Sequence, residues 1–187
     1  MIPVSQRTGS GAQQTRTARI AVLVAAATVA AIDLTAKAAS EARLAESPVD
    51  LGLIQLQLAY NPGVAFSMGD RLPASVIVAV TATICGVIAL YAWFRAPRAG
   101  WIERIAHGAV IGGAVANVID RGGDGLVTDY LHTGWWPTFN LADTFLVIGC
   151  VVMALMGALP DRVADTGTGE AEDKGDAGDT ISDSSRS

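Results

Sequence analysis

The sequence predicts an all-α integral membrane protein, with four transmembrane helices, a small extracytoplasmic β-containing region and disordered tails. Only 17% of its 187 residues are charged and its mean hydropathy is +0.39, whereas a soluble domain draws about 25% of its residues from Asp, Glu, Lys and Arg. Four apolar segments also approach the ~20 residues that cross a bilayer. We therefore predict one membrane domain at residues 16–160, between a flexible arm at residues 1–15 and an acidic tail at residues 161–187.

The first predicted span, residues 20–39, contains two charged side chains, Asp33 and Lys37. Four residues apart on a helix, they are expected to form an ion pair. Two arginines before this span and the segment Ala36-Lys37-Ala38 near its end also imitate a signal peptide with a cleavage site. An acidic residue between the apolar run and the cleavage site is unusual for a segment that is removed. A retained transmembrane helix is therefore the favoured interpretation.

The other three predicted spans are residues 74–94, 102–119 and 144–160. The second contains no charged side chain, and acidic residues border the fourth on both sides. Cys85 and Cys150 lie inside apolar runs, so we interpret both as small hydrophobic residues within the membrane.

Basic residues near the span ends predict the orientation. Six arginines lie before the first span, in the connection between the second and third spans and in the first turn of the third span, whereas the two other connections contain three. Lys and Arg are enriched on the cytoplasmic side, so both termini are predicted to be cytoplasmic. Residues 161–187 carry eight acidic and three basic side chains, which account for the net charge of −5. The remainder is neutral and offers no basic patch for nucleic acid.

The outer connections contain signs of β structure. Residues 51–60 alternate apolar residues with glutamines, which is the period-two pattern of a strand, and they end at the turn Asn61-Pro62-Gly63. Trp135 and Trp136 precede the fourth span, as aromatic residues do at the membrane surface. We expect a small sheet that lies over the outer ends of the helices.

Polar residues inside the spans are predicted to share one depth. At a rise of 1.5 Å per residue, Asp33 lies about 21 Å along the first helix from Arg19. Asn117 and Arg121 lie about 20 and 25 Å along the third helix. Asp143 begins the fourth helix from the outside. All four are therefore expected in the outer third of the bilayer, where ionisable groups are costly and usually functional.

Structural explanations for these residues stay open. Gly113, Asn117 and Arg121 recur at every fourth position and form one stripe on the third helix. The glycine could serve helix packing alone, and Asn117 could form a hydrogen bond between helices. Arg121 could extend to the membrane surface, with Asp120 as its partner or as a solvated helix end.

Asp129 and Asp143 form the candidate catalytic pair. Asp129 follows Val127 and Thr128 in a predicted loop, where a plain turn residue is an equally good interpretation. Asp143 begins a helix, where the helix dipole alone favours an acid. Two nearby carboxyl groups can share a proton, so that one acid activates water while the other polarises a carbonyl.

The sequence lacks the residues that a Ser-His site or a metal site would need. No serine lies beside His107 or His132 at the depth of the polar residues, which excludes a Ser-His site. Two distant histidines and two intramembrane cysteines cannot form a zinc site. Gly122 and Leu131 occupy positions where an EF-hand loop at residues 120–131 needs ligands, which excludes calcium. We therefore expect neither a metal nor a cofactor.

Five segments carry a resemblance to a known family. They are Asp33-Leu-Thr-Ala-Lys37, Asn61-Pro-Gly-Val-Ala-Phe-Ser67, Gly112-Gly-Ala-Val-Ala-Asn-Val-Ile-Asp-Arg121, Gly125-Leu-Val-Thr-Asp-Tyr130 and Phe139-Asn-Leu-Ala-Asp143. In order and spacing they resemble the conserved motifs of lipoprotein signal peptidase (signal peptidase II), a bacterial inner-membrane family with four helices and cytoplasmic termini. Ala116 departs from the pattern, because many members have glycine there. The acidic tail also lies outside the pattern.

The resemblance implies an aspartic endopeptidase that removes the signal peptide from prolipoproteins, immediately before the diacylglyceryl-modified cysteine. It places the catalytic pair on Asp129 and Asp143. The substrate or inhibitor site falls on Asn61, Gly113, Asn117, Arg121 and Asn140, and a supporting pair falls on Asp33 and Lys37. It also implies contact with membrane lipids and inhibition by the cyclic peptide antibiotic globomycin. A monomer without a nucleic-acid partner is expected.

Two other functions stay open from the residues alone. A small transporter would use Asp33, Asn117, Arg121 and Asp143 as a midplane site, which predicts polar groups through the full membrane depth and internal symmetry. Neither is visible in the sequence. A membrane assembly protein would use the same residues only for folding. Cleavage of a lipidated preprolipoprotein by the purified protein separates the three functions.

Overall fold

The structure, a computed structural model, describes residues 7–62 and 73–158. Its four long helices confirm the predicted fold class, and all four are long and apolar enough to cross a membrane. They are α1 (Arg7–Leu44), α2 (Ala74–Arg95), α3 (Trp101–Asp124) and α4 (Leu141–Ala158). Helix α3 is central, because it packs against each of the other three. The acidic tail lies outside the described residues.

Helix α1 is longer than its apolar run. Its 38 residues correspond to about 57 Å at 1.5 Å per residue, which exceeds the ~30 Å hydrocarbon core. Residues 7–15, which were expected to belong to a flexible arm, are helical. Hydropathy locates only the part of a helix that lies in lipid, whereas its backbone hydrogen bonds continue into the polar flanks. The helix therefore begins before residue 16, the predicted start of the membrane domain.

A three-stranded antiparallel sheet confirms the predicted β region. Its strands are β1 (Val49–Asp50), β2 (Gln55–Asn61) and β3 (Val127–His132), with β2 in the centre. Strand β2 coincides with the alternating segment. The register pairs Ala59 with Asp129 after an irregularity in the ladder between Leu56 and Ala59. This register brings Asn61, two residues beyond Ala59, within diagonal reach of Asp129.

The helices pack through small residues. A Cβ atom added at Gly112 would lie 2.8 Å from the Val29 Cβ on α1, and one at Gly149 would lie 2.9 Å from the Ala106 oxygen on α3. Such close backbone contact stabilises helix pairs in lipid, where apolar burial between helices gives little driving force. The large apolar side chains point outward instead, as Val87 and Leu90 do on α2.

Candidate active site

The predicted site residues meet at one end of the bundle, although five elements carry them. Helix α1 carries Asp33 and Lys37, and helix α3 carries Gly113, Asn117 and Arg121. Asn61 ends β2, Asp129 lies in β3, and Asn140 and Asp143 begin α4. Of the four groups that were predicted to share one depth, Asp33, Asn117 and Asp143 are joined in one polar network through Lys37.

Asp129 lies in strand β3, not in the predicted loop, and its side chain is only 2% exposed. Its sequence, Val127-Thr-Asp-Tyr-Leu-His132, lacks the alternation of apolar and polar residues that identifies a strand. The Asn140 side chain donates a hydrogen bond to Asp129 Oδ1 (2.7 Å), and the Asn61 side chain donates one to Asp129 Oδ2 (3.2 Å). Each carboxylate oxygen of Asp129 therefore accepts one amide hydrogen bond.

Asp143 and Asn140 cap the first turn of α4 reciprocally. The Asp143 backbone N–H donates to Asn140 Oδ1 (3.0 Å), and the Asn140 backbone N–H donates a longer bond to Asp143 Oδ2 (3.4 Å). This is the geometry of a capping box. Asp33, 109 residues earlier in the chain, accepts the Ala142 N–H at 2.8 Å. Residues from two helices thus satisfy the backbone donors that a helix start leaves unpaired.

Lys37 fixes the orientation of the Asn117 amide group. Its ammonium group can only donate, and it donates to Asn117 Oδ1 at 2.7 Å. The Asn117 nitrogen must therefore face the other way, where it donates to Asp143 Oδ1 at 2.9 Å. The Asn140 amide is oriented by the same logic, because its oxygen accepts a backbone N–H. Its nitrogen then donates to both Asp129 and Asn117. The Asn117 and Asn140 amides, whose orientations are fixed by these contacts, therefore join the two acids in one hydrogen-bond network.

Lys37 is itself buried between two carboxylates. It forms the predicted ion pair with Asp33 (3.0 Å) and a second one with Asp120 (3.0 Å). Asp120 was expected to pair with Arg121 or to be solvated, and that interpretation is wrong. It also accepts the Thr128 backbone N–H at 2.8 Å, next to Asp129. Asp120 follows Asn117 by three residues, and this same-face spacing is the signal that could have identified it.

The Arg121 side chain lies inside the protein, because it is only 8% exposed. It lies within electrostatic range of Asp120, Asp129 and Asp143. Its Nε atom is buried and has no hydrogen-bond partner among the described residues. A charged donor that faces three acids without a direct partner can bind an oxygen of a ligand.

A cavity of about 580 Å³ adjoins Asp143 and lies between α2, α3, α4 and the loop before α4. Its polar lining includes Asn61, Asn117, Arg121 and Asp143. The rest of its wall is mainly apolar, with Ile84 and Leu146 among its members. An apolar cavity with a few convergent polar groups is the usual form of a ligand site.

Gly113 lets α3 approach the start of α4. A Cβ atom at this position would lie 2.6 Å from the Ala142 backbone oxygen and 3.2 Å from Leu146 Cγ. The packing of α3 against α4 therefore requires glycine at this position, independently of any contact with a ligand. The contact holds the turn of α4 that carries Asp143 against the helix that carries Asn117.

Two acidic groups of β3 have shifted proton affinities. Burial, and secondly the charge of Asp143, raise the pKa of Asp129 to about 6, although hydrogen bonds from Asn61 and Asn140 act in the opposite direction. Burial raises the pKa of Tyr130 to about 12, so its hydroxyl is neutral at pH 7. This hydroxyl accepts the Leu141 backbone N–H at 3.3 Å, a contact that the sequence did not predict.

No group of three or more His, Cys, Asp or Glu side chains that could hold a metal occurs among residues 7–62 and 73–158. His107 lies on α3, ten residues before Asn117, and its ring contacts Tyr91. His132 ends β3 and lies near Thr138.

Comparisons with known proteins agree on one family. A family model described as signal peptidase (SPase) II matches residues 25–159. A lipoprotein signal peptidase of Rhodococcus jostii is 34% identical over 155 residues, which cover 76% of this chain and 76% of that protein. A lipoprotein signal peptidase of Desulfitobacterium hafniense is 37% identical over 118 residues, which cover 62% of this chain and 76% of that protein.

A solved structure shares the fold. It is a bacterial membrane enzyme determined by the in meso method at 1.9 Å resolution, with a TM-score of 0.63 and 22% sequence identity. The similarity covers 75% of this chain and 93% of that structure.

Proposed function

The chain belongs to the signal peptidase II family, and from this membership we propose that it is an intramembrane aspartic endopeptidase whose catalytic pair is Asp129 and Asp143. Membership and the four apolar helices make it a multi-pass protease of the bacterial inner membrane that acts on prolipoproteins. The proposed cut falls immediately before the diacylglyceryl-modified cysteine. The proposal depends on one observation, the single amide network that joins the Asp129 carboxyl group to the Asp143 carboxyl group, which lines the cavity.

The two acids take different roles in this proposal. Asp143 lies in the first turn of α4. The proposal assigns it the role of the base, because Asp129 is the acid that carries the proton. Asp129 has its pKa raised to about 6 by burial and by the charge of Asp143, so it holds the shared proton. Asp129 Oδ1 and Asp143 Oδ1 accept the short amide hydrogen bonds, of 2.7 and 2.9 Å. The two Oδ2 atoms accept only longer ones, of 3.2 and 3.4 Å, so the proposal assigns the Oδ2 atoms to the proton and to water.

Hydrolysis then proceeds without any group from outside the protein except water. Asp143 takes a proton from water while the water oxygen bonds to the scissile carbonyl carbon. At the same time Asp129 gives its proton to the carbonyl oxygen. Collapse of the resulting diol breaks the C–N bond. Asp143 returns its proton to the leaving nitrogen, and Asp129 regains one from a diol hydroxyl. Both carboxyl groups end in their starting states.

Substrate recognition is proposed for the polar lining of the cavity. The Asn117 and Asn61 amides and the Arg121 guanidinium can bind backbone oxygens of the substrate, since they border the same cavity as Asp143. A signal peptide held by its lipid anchor at the membrane surface is confined near the acids, and such proximity lowers the barrier. We propose that this end of the bundle faces outward and that both termini are cytoplasmic, because arginines are more frequent at the other end.

The test uses the purified full chain in detergent with a diacylglyceryl-modified preprolipoprotein. Mass spectrometry should find a product that begins at the modified cysteine. Asp129→Asn and Asp143→Asn should each lose activity by about 10³-fold or more, the usual cost of removing a group from an acid-base pair. Asp50→Asn is the matched control, because Asp50 is exposed on β1.

Two outcomes separate the alternatives. No cleavage by the folded wild type would favour a transporter or an assembly protein. Cleavage that persists in Asp129→Asn or Asp143→Asn would remove that residue from the mechanism. Globomycin should block the wild-type reaction.

A further inference from the structure

A second cavity lies at the opposite end of the bundle, between the N-terminal part of α1 and the last turns of α2. Its volume is about 670 Å³, and its lining includes Thr15, Arg16, Arg19, Ile20, Leu23 and Trp93. Asp33 lies 14 residues beyond Arg19, or about 21 Å along the helix. The cavity is therefore separate from the candidate active site, and what it binds does not depend on the proposed catalytic function.

Arg19 is held in place by Trp93. Its Nε atom donates to the Trp93 backbone oxygen (3.3 Å), and its guanidinium carbon lies 4.4 Å from the centre of the Trp93 ring. Beside it, Ala18 and Val22 of α1 and Ala92 of α2 belong to one buried cluster. The guanidinium group of Arg19 is thus oriented before any ligand arrives, and a preorganised group loses less entropy on binding.

The charges at this end are unbalanced. Residues 7–23 and 91–107 contain six arginines and one acid, Glu103, which pairs with Arg95 at 2.8 Å. Arg16 and Arg19 form no ion pair with any of the described residues. A ligand for this cavity should therefore be an anion, and the planar guanidinium groups suit a phosphate.

The cavity is also partly apolar. Ile20 and Leu23 follow Arg16 and Arg19 along α1 and are 46% and 54% exposed. Cationic groups at one side and aliphatic groups at the other match a molecule with an anionic head and a hydrocarbon chain. Basic pockets between transmembrane helices are known to take lipid headgroups of this charge.

We propose that this cavity, which we call the Arg19 cleft, binds an anionic phospholipid. Arg16 and Arg19 bind the phosphate, Trp93 holds Arg19 in position, and Ile20 and Leu23 contact an acyl chain. The acidic segment at residues 161–187, which comes after α4 in the sequence, is the competing anionic candidate. It has few apolar residues to cover Ile20 and Leu23, so the lipid is favoured.

Native mass spectrometry of the full chain, titrated with dioleoyl phosphatidylglycerol or dioleoyl phosphatidylcholine, tests the proposal. Phosphatidylglycerol should bind at least tenfold more tightly. Arg16→Gln and Arg19→Gln should each weaken that binding about fivefold, the effect of one basic residue near a membrane surface. Arg98→Gln is the matched control, because it removes one charge at the same end but does not line the cleft.

Trp93→Leu distinguishes a specific site from general attraction, since it keeps every charge and removes the ring under Arg19. It should weaken phosphatidylglycerol binding as much as Arg19→Gln does. Equal affinity for the two lipids, or equal losses in Arg98→Gln and Arg19→Gln, would overturn the proposal. Because Arg16 is exposed, its variant keeps the test valid if Arg19→Gln fails to fold.

Two further arms identify the occupant. Deletion of residues 161–187 should change phosphatidylglycerol affinity less than twofold, and a larger rise would mean that the acidic segment occupies the cleft instead. Soluble glycerol phosphate should not displace the lipid at millimolar concentration. Full displacement would mean that the cleft binds any phosphate and would overturn its assignment to a lipid.

Discussion

Replacing Asp129 with asparagine should abolish cleavage and yet stabilise the protein at alkaline pH. The pKa of Asp129 is raised from 3.8 to about 6, which is about 3 kcal/mol at 1.36 kcal/mol per unit. A raised folded pKa means that the folded state holds the proton more tightly than the unfolded state. The burial of Asp129 therefore does not lower the free energy of unfolding below about pH 4, where the group is protonated in both states. The free energy of unfolding falls as the pH rises to about 6. Asparagine carries no such cost at any pH.

The substitution also loses one hydrogen bond, which is independent of pH. An asparagine at this position can accept from Asn140 but presents its own NH₂ group to Asn61, at a cost of about 1 kcal/mol. Asp129→Asn should therefore be about as stable as the wild type at pH 4 and about 2 kcal/mol more stable at pH 8. For a chain of this length the difference corresponds to about 4–8 °C in Tm.

Thermal unfolding in detergent, followed by intrinsic fluorescence at pH 4, 6 and 8, measures this difference. Asp50→Asn serves as the control, because this carboxylate is exposed on β1 and its variant should show no comparable gain. A Tm difference for Asp129→Asn that does not change with pH would refute the reasoning. Asp129 would then ionise in the folded protein as easily as in the unfolded chain, and it could not hold the shared proton.

Three further predictions concern the packing and charge of the site. Gly113→Ala should destabilise the protein by about 1–3 kcal/mol and reduce cleavage. Gly122→Ala should do neither, because its Cβ would meet nothing within 4 Å. Equal effects in both variants would contradict the packing role of Gly113. Lys37→Gln should cost about 3–5 kcal/mol of unfolding free energy because it leaves buried carboxylates unpaired, and an unchanged Tm would argue against the network. The kcat/KM of the wild type should fall about tenfold per pH unit above pH 6, as Asp129 loses its proton, so a flat profile up to pH 8 would exclude Asp129 as the acid.

Much of the fold follows from patterns that are local in the sequence. Length and hydropathy identified the four helices, and a rise of 1.5 Å per residue predicted that Asp33, Asn117 and Asp143 would meet. The hydrogen bonds from Asn117 to Asp143 and from Ala142 to Asp33 agree with that prediction. Both predictions succeed because a regular helix converts sequence distance directly into depth.

The remaining features depend on contacts between distant segments. Lys37 lies 83 residues before Asp120, and only the packing of α1 on α3 brings the two together. Asp129 was assigned to a loop because the short strand β3 is defined by its partner β2 and not by its own pattern. The polar start of α1 has no hydropathy signal, so its helical hydrogen bonds were also missed.

The most direct test of the central claim is the cleavage of a diacylglyceryl-modified preprolipoprotein by the purified wild type and by its Asp129→Asn and Asp143→Asn variants, with each variant first shown to be folded. The two carboxyl groups are predicted to act as one unit. The wild type should release a product that begins at the modified cysteine, in the presence of a chelator as in its absence, and neither variant should release it. Comparable product from either folded variant, or loss of wild-type activity on chelation, would contradict the account.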